Sequence, residues 1–215
     1  MYNRAIILDF DGTLADTQPL IVNTMQRTIG ALHLPSRTDA ECQAMIGLPL
    51  KECFTTLLPI DDAMGERCAE LYRRIFDEEN HPGVVTLFPH VLETLAALHD
   101  RGQQLAICSS RGRPTLDGFV KTFHLEEYIG VIVSANDVQH AKPNPEPVLK
   151  ILSTLDIKPS EAIVVGDTTF DILMGRDAGC RSCGVTYGNQ SADALRSAGA
   201  TYIIDDFAEL ANIID

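Results

Sequence analysis

Positive charge is scarce in this sequence, and long apolar runs are missing from it. The 215 residues include 17 Lys and Arg against 30 Asp and Glu, which gives a formal net charge of −13. Sequence-independent binding to DNA or RNA depends on clustered Lys and Arg, so this balance argues against nucleic-acid partners. No apolar stretch approaches the roughly 18 residues that a membrane-spanning helix needs. Residues 1–4 show no signal-peptide pattern, so we expect a soluble protein of the cytoplasm.

Cysteine is too sparse for a disulfide-rich scaffold of this size, since the chain has six. Cys180 and Cys183 form the one C-x-x-C spacing, which occurs in both zinc and redox sites. A zinc site would need further ligands at matching spacing. A redox pair normally lies at a helix N-terminus, whereas Cys180 follows Gly179, which ends a helix, and Cys183 opens a strand-like segment. We therefore interpret both as small structural thiols.

Short apolar runs alternate with helical patterns through most of the chain. Continuous apolar runs are typical of strands that are covered on both faces, as in a parallel sheet. A spacing such as that of Val91, Leu92, Leu95 and Leu98 indicates one face of an intervening helix. The alternation predicts an α/β fold with a doubly wound, Rossmann-like parallel sheet. The predicted strands are residues 5–8, 105–108, 130–133, 162–165 and 201–204.

The alternation fails between residues 16 and 82, where only helical patterns are found. One apolar stripe is followed by a second, which comes after the helix start signal Asp61-Asp62. We predict an all-helical cap at 16–82 inserted into an α/β core formed by 1–15 and 83–215. The stripe residues are Ile21, Met25, Ile29 and Leu32, then Ala69, Tyr72, Ile75 and Phe76.

Polar side chains follow four of the predicted strands. Ligands of a doubly wound sheet bind beyond the carboxyl ends of its strands, so we expect these side chains to share one rim. A lone Lys is most often a solvated charge, and Asp167 alone could cap a helix, but the four signals together indicate a site. The residues are Asp9 and Asp11, Ser109 and Ser110, Lys142, and Asp167 with Asp171.

The carboxylates of this rim predict a magnesium site. Asp9 and Asp11 are two residues apart, so on a strand both would face the same side, where they repel unless a cation lies between them. Asp167 would complete an all-oxygen site of the type that Mg²⁺ prefers, with water and a substrate phosphate filling its shell. Lys142 and Ser109 would supply positive charge and a hydroxyl donor for that phosphate.

Four segments resemble the four motifs of the haloacid dehalogenase superfamily, in order and spacing, over essentially the whole chain. The helical insert after the first motif resembles the subclass with a helical cap, and within it the phosphoglycolate phosphatase and pyrophosphatase group. The segments are Asp9-Phe10-Asp11-Gly12-Thr13-Leu14, Ser109, Lys142-Pro143 and Gly166-Asp167-x-x-x-Asp171.

This resemblance implies a role for each motif residue. Asp9 is the implied nucleophile that forms an aspartyl-phosphate, and Asp11 the implied general acid and base. The implied magnesium ligands are Asp9, the backbone carbonyl of Asp11, and Asp167, with Asp171 as a further or outer acid. Ser109 and Lys142 would hold the phosphoryl oxygens, and Ser110 would assist them. Ser110 and Arg111 stand where relatives often carry Asn and Lys, which leaves their roles open.

Other functions share part of this pattern. The β-phosphoglucomutase group keeps both acids but carries His after the first motif and Arg in the cap loop, where this chain has Ile21 and Leu50. A phospho-receiver domain would need neither Asp11 nor a cap, and a catalytically silent binding protein would not need intact motifs. We therefore expect a phosphatase of the haloacid dehalogenase type.

The cap should determine the substrate, because it closes over the site and excludes water. Arg37, Lys51 and the loop at residues 47–50 are the candidates to reach a leaving group. A short loop favours a small anionic phosphate ester, such as phosphoglycolate, although pyrophosphate or a sugar phosphate also remains open. The sequence does not indicate an oligomeric state.

The predicted metal site can be tested by chelation. We expect phosphate release from a small phosphoester to stop in excess EDTA and to return when Mg²⁺ is added beyond the chelator. Release would be followed by a colorimetric phosphate assay. An undiminished rate in excess EDTA would contradict the metal site.

Overall fold

A parallel sheet of six strands forms the centre of the molecule, in the order β5-β4-β1-β6-β7-β8. The computed structural model describes residues 4–214, so the prediction drawn from Met1, Tyr2 and Asn3 lies outside the described residues. The five predicted strands all belong to this sheet. Its strands are β1 (Ala5–Leu8), β4 (Gln104–Cys108), β5 (Ile129–Val133), β6 (Ala162–Gly166), β7 (Arg181–Val185) and β8 (Tyr202–Ile204), and a separate ribbon contains β2 (Ala15–Asp16) and β3 (Thr86–Leu87).

Both faces of the sheet are covered, which explains why its central strands are continuously apolar. In β1, Ile6 and Leu8 belong to one hydrophobic cluster, while Ala5 and Ile7 belong to a second cluster on the opposite face. Helices contribute to both clusters, so the doubly wound α/β fold is confirmed. The covering helices are α5 (Val91–Asp100), α6 (Arg113–Thr122), α7 (Glu146–Leu155), α8 (Thr169–Asp177), α9 (Ala192–Ala198) and α10 (Leu210–Ile213).

Four helices occupy the segment between β2 and β3, as the helical pattern predicts. The helix start signal is confirmed, because the Asp61 side chain accepts a hydrogen bond from the Met64 backbone N–H at 2.8 Å. Asp16, at the predicted boundary, lies in β2 and pairs with Thr86 of β3. The division into core and cap stays a prediction. The helices are α1 (Gln18–Ala31), α2 (Asp39–Gln43), α3 (Leu50–Leu57) and α4 (Asp62–Glu79).

Two local predictions need correction. Leu92 is 41% exposed, because successive residues of a helix point about 100° apart and the buried face of α5 contains Val91, Leu95 and Leu98 instead. Cys183 lies inside β7 rather than at its start, because the strand begins at Arg181. Sheet pairing carries the strand two residues further toward the N-terminus than its apolar run indicates.

The cysteines behave as structural thiols, as predicted. All six are free, and burial raises the pKa of Cys180 to about 11 and that of Cys183 to about 12. A thiol with a raised pKa is a poor nucleophile at neutral pH, so neither residue resembles a redox cysteine. Within residues 4–214, none of the helices combines the length and the apolar character that crossing a membrane requires.

Two leucines of α5 provide a matched test of this packing. We expect Leu98→Ala to lower the free energy of unfolding by about 2–5 kcal/mol, because Leu98 is fully buried between the helix and the sheet. Leu92→Ala is the control and should change it by about 0.5 kcal/mol or less. Urea-induced unfolding measures both, and equal losses would contradict the assigned buried face.

Candidate active site

The loop that follows β1 brings its side chains close to the end of β6. The Phe10 carbonyl accepts hydrogen bonds from the backbone N–H groups of Leu14 and Ala15, both at 3.0 Å, which closes the loop tightly. Gly12 has φ +86°, and a Cβ atom there would collide with the Asp167 carboxylate. Glycine is therefore required at this turn, both for its backbone conformation and for the close approach.

Asp9 lies at the centre of the site and is almost completely buried. One of its carboxylate oxygens accepts a hydrogen bond from the Lys142 ammonium, and the Thr13 hydroxyl lies 3.4 Å from the other. Burial raises the pKa of Asp9 well above its ordinary value; Lys142 opposes this shift, and the neighbouring carboxylates add to it.

Lys142 links Asp9 to a second carboxylate. Its Nζ atom also donates to Asp171 Oδ1 at 2.6 Å, and the side chain is 2% exposed. Burial alone would lower the pKa of Lys142, but Asp171 and Asp9 outweigh burial and raise it. The residue is therefore a permanent buried cation and not a solvated surface lysine.

Asp171 is positioned by the first turn of α8. Its Oδ2 atom accepts hydrogen bonds from the Thr168 backbone N–H at 3.1 Å and the Thr168 hydroxyl at 2.7 Å. Thr168 and Asp171 thus form a capping box, and Thr168 is the N-cap residue. The alternative that Asp167 serves only as the helix cap is excluded by this arrangement.

Asp167 is fully buried and has its own set of partners. Its Oδ2 atom accepts from the Asn189 backbone N–H at 2.7 Å and from the Asn189 side-chain amide, while the Thr13 hydroxyl lies 3.3 Å from Oδ1. Burial and the nearby Asp171 raise the pKa of Asp167 to about 7, although Asn189 and Lys142 act in the opposite direction.

The carboxylates of Asp9, Asp167 and Asp171 offer oxygens that lie within 4.8 Å of one another. The Lys142 ammonium faces these three acids, and burial together with their mutual repulsion raises the pKa values of Asp9 and Asp167. A hard divalent cation fits this oxygen donor set and would offset the excess negative charge. The carboxylate of Asp11, in contrast, does not belong to this group.

Asp11 pairs with Arg111, which follows β4. Arg111 Nε donates to Asp11 Oδ2 at 3.1 Å, and its Nη2 donates to the other oxygen, Oδ1. Asp9 and Asp11 therefore have different cationic partners although they are two residues apart. The expectation that both carboxylates flank one cation is not supported for the side chain of Asp11.

The two serines after β4 have different surroundings. Ser109 is buried, and its Oγ atom accepts a hydrogen bond from the Arg111 backbone N–H at 3.1 Å, which leaves its hydroxyl hydrogen to donate elsewhere. Ser110 donates its hydroxyl hydrogen to the Gly47 carbonyl at 2.6 Å. Ser110 therefore joins the core to the helical insert.

Of the candidates in the insert, only the loop at residues 47–50 reaches the rim. Gly47 lies beside Thr168 and Phe170. Arg37 donates instead to the Leu57 carbonyl at 2.9 Å, and Lys51 to Asp62 at 3.2 Å, both within the insert. Their role in reaching a leaving group is therefore not supported by the structure.

Sequence reasoning missed two functional contacts. The motifs leave the role of Arg111 open, although a cation two residues after Ser109 is a usable signal. Asn189 lies outside the four motifs, although it follows β7 as the other site residues follow their strands. The signal for Asn189 is its place beyond the carboxyl end of the strand-like segment that contains Cys183.

A doubly wound sheet whose strand ends gather buried carboxylates around one lysine defines an α/β enzyme. The chain belongs to the haloacid dehalogenase-like hydrolase family, whose sequence model matches residues 6–185. The resemblance identified from the four motifs is thereby confirmed, and so is the expectation of a hydrolase of this type.

Known proteins resemble the chain over nearly its whole length. It is 31% identical to pyrophosphatase PpaX of Anoxybacillus flavithermus, over 98% of this chain and 96% of the relative. It is 34% identical to pyrophosphatase PpaX of Bacillus velezensis, over 97% and 95%. A haloacid dehalogenase-like hydrolase from Bacteroides fragilis has a similar structure, with a TM-score of 0.91 at 29% identity, over 97% of this chain and 99% of that one.

The raised pKa of Asp167 predicts how stability depends on pH. Its ordinary value is 3.8, so between about pH 4 and 7 the folded protein holds a proton that the unfolded chain releases. The contribution of Asp167 to the free energy of unfolding therefore falls as the pH rises through this range. In buffer free of divalent cations, Asp167→Asn should lose less thermal stability than the wild type between pH 5 and pH 8.

Scanning calorimetry at the two pH values measures this difference. Asp193→Asn is the matched control, because the Asp193 side chain is 97% exposed, and it should follow the wild type. Parallel losses in the wild type and the Asp167→Asn variant would contradict the assigned pKa.

Proposed function

We propose that the protein is a magnesium-dependent phosphohydrolase that acts on a small anionic phosphate through an aspartyl-phosphate on Asp9. The observation that carries this proposal is the environment of Asp9: a buried carboxylate at the end of β1, bonded to Lys142 and close to Asp167 and Asp171. A nucleophile at the centre of a buried charge cluster can react where water is largely excluded.

In the first step, a carboxylate oxygen of Asp9 attacks phosphorus, and the bond from phosphorus to the leaving oxygen breaks. Asp11 gives a proton to that oxygen, so the leaving group departs in a protonated form. Lys142 and Ser109 hold the phosphoryl oxygens during the transfer, where fixed positive charge and hydrogen-bond donors stabilise the transition state. Ser110, which bonds to Gly47, orients the insert beside them.

In the second step, water attacks the phosphorus atom of the aspartyl-phosphate. Asp11 takes the proton from this water, phosphate leaves, and the Asp9 carboxylate is restored. Asp9, Asp167 and the backbone carbonyl of Asp11 would hold magnesium, with Asp171 beside them. The chemistry that magnesium supplies when bound is neutralisation of charge on the phosphoryl oxygens.

We also propose that residues 16–82 act as the cap and that 83–215 complete the core with 1–15. Three contacts between insert and rim support this role. Ser110 bonds to Gly47, the Gln43 side chain donates to the Asn189 carbonyl at 3.3 Å, and Phe76 lies against Arg111. Because these contacts surround the acids, movement of the insert would open or close the site to water.

Phosphoglycolate is one candidate substrate, since a compact cap loop suits a small anionic ester. Pyrophosphate is a second candidate, favoured because relatives 30–34% identical are named pyrophosphatase PpaX. A mutase is disfavoured because Ile21 is buried and apolar and Leu50 begins α3, so neither can serve as acid, base or phosphate ligand. The partner is then a small phosphate compound, and the cytoplasmic location stays a prediction.

Replacing the nucleophile tests the proposal. Asp9→Asn should lower phosphate release by at least about 10³-fold while preserving the fold, because it removes the attacking oxygen with little change in shape. The assay would offer pyrophosphate, phosphoglycolate, a sugar phosphate and p-nitrophenyl phosphate with Mg²⁺.

Asp193→Asn controls for the substitution at an exposed position and should retain full activity. Acid-quenched wild-type enzyme should carry one phosphoryl group on Asp9, detectable by peptide mass analysis. Full activity in Asp9→Asn, or a phosphoryl group on another residue, would contradict the assignment of Asp9 as the nucleophile.

A further inference from the structure

The proposed proton donor, Asp11, is held in a conformation that does not suit its task. Both of its carboxylate oxygens accept hydrogen bonds from Arg111, one from Nε and one from Nη2. A carboxylate that is engaged at both oxygens by a guanidinium acts only as an acceptor. Asp11 must therefore separate from Arg111 before it can bring a proton to a leaving oxygen.

Arg111 cannot simply be left without an anion when Asp11 separates. Its side chain is 9% exposed, and its guanidinium lies between two aromatic rings, 4.8 Å from the centre of Phe76 and 5.1 Å from that of Phe119. Burial works to lower the pKa of Arg111, but Asp11 outweighs it and the pKa is raised. A buried cation that loses such a carboxylate partner would be strongly destabilised.

The rings also determine where Arg111 can act. Phe119 belongs to α6 of the core and stacks on Phe10, which stands between the two acids, with ring centres 5.4 Å apart. Phe76 belongs to α4 of the insert. The guanidinium is thus fixed between insert and core. It lies beside Asp11, whereas Lys142 lies beside Asp9.

We propose that Arg111 is the residue that selects substrates whose leaving group is itself an anion. This inference rests on the proposed function. A carboxylate or second phosphoryl group on the leaving group takes the place of the Asp11 carboxylate on Arg111, through the same pair of N–H donors. Arg111 keeps an anionic partner throughout, and Asp11 is released to protonate the leaving oxygen.

A neutral leaving group gives a different result. It offers no anion to Arg111, so the pair with Asp11 persists and proton donation is impaired. The site then distinguishes anionic from neutral leaving groups by releasing Asp11 for proton donation, and not only by binding the substrate. Discrimination of this kind affects the chemical step as well as binding.

A matched pair of substrates tests the inference. Phosphoglycolate and 2-hydroxyethyl phosphate differ in one group, a carboxylate in the first and a neutral hydroxymethyl in the second. Pyrophosphate gives a second anionic case. p-Nitrophenyl phosphate gives a case in which the leaving group needs no protonation, so its hydrolysis reports the nucleophile, the metal and the fold.

For the wild type we expect kcat/KM for the better anionic substrate to exceed that for 2-hydroxyethyl phosphate by at least about 100-fold. In Arg111→Gln this ratio of kcat/KM values should fall below about tenfold, because kcat/KM decreases for the anionic substrates. Hydrolysis of p-nitrophenyl phosphate should stay within about tenfold of the wild type. Arg111→Lys, which keeps the charge but not the paired donors, should lie between the two.

A binding measurement provides a second criterion, because Asp11 and the leaving group compete for Arg111. Asp11→Asn should bind phosphoglycolate or pyrophosphate several-fold more tightly than the wild type while turning it over more slowly. Arg111→Gln should bind both more weakly. Isothermal titration with the Asp9→Asn substitution added to each protein separates this binding from hydrolysis.

The outcomes distinguish the inference from the proposed function. Equal losses on all substrates in Arg111→Gln and Arg111→Lys would mean that the residue only supports the fold, and would overturn the inference. An unchanged preference in Arg111→Gln, or no preference in the wild type, would overturn it as well. If the wild type turned over none of the substrates, p-nitrophenyl phosphate included, both the proposed function and this inference would be overturned.

Discussion

The structure depends on an imbalance of buried charge, in which the ammonium of Lys142 faces the carboxylates of Asp9, Asp167 and Asp171. Such a cluster persists only if each acid is fixed by bonds that it cannot exchange for water. The strand ends, the capping box of α8 and the amide of Asn189 provide those bonds. The same imbalance supports the magnesium site that we propose, because a divalent cation would offset the excess negative charge.

The fold and most of the rim could be predicted from the sequence, because both depend on patterns local in the chain. Continuous apolar runs indicate strands covered on both faces. The residues just beyond these runs lie together at the edge formed by the carboxyl ends of the parallel strands. The ion pair of Asp11 with Arg111 could not be predicted, since it joins loops a hundred residues apart and depends on side-chain direction. Leu92 was misassigned for a similar reason: spacing indicates a helix but not the width of its buried face.

Two acids with the same chemistry thus acquire different properties from their partners. Asp9 bonds to a lysine that also bonds to Asp171, which fits the nucleophile role that we propose for it. Asp11 bonds to an arginine held by rings of both core and insert, which fits the control of this acid by the leaving group that we propose. Their separation of two residues in the segment after β1 matters less than the two loops that reach them from β4 and from the chain before α7.

The ribbon formed by β2 and β3 has a consequence for how the chain assembles. In the sheet, β1 pairs with β4, so Ala5 pairs with Gln104, which lies about a hundred residues away in the sequence. Closing so long a loop is entropically unfavourable and slows folding of the sheet. Pairing of Asp16 with Thr86 removes the helical insert from that loop and leaves only the short segments on either side. Forming the ribbon itself closes a loop of about 70 residues, so the entropic cost of the insert falls on the ribbon, and the two connections between insert and core then lie side by side.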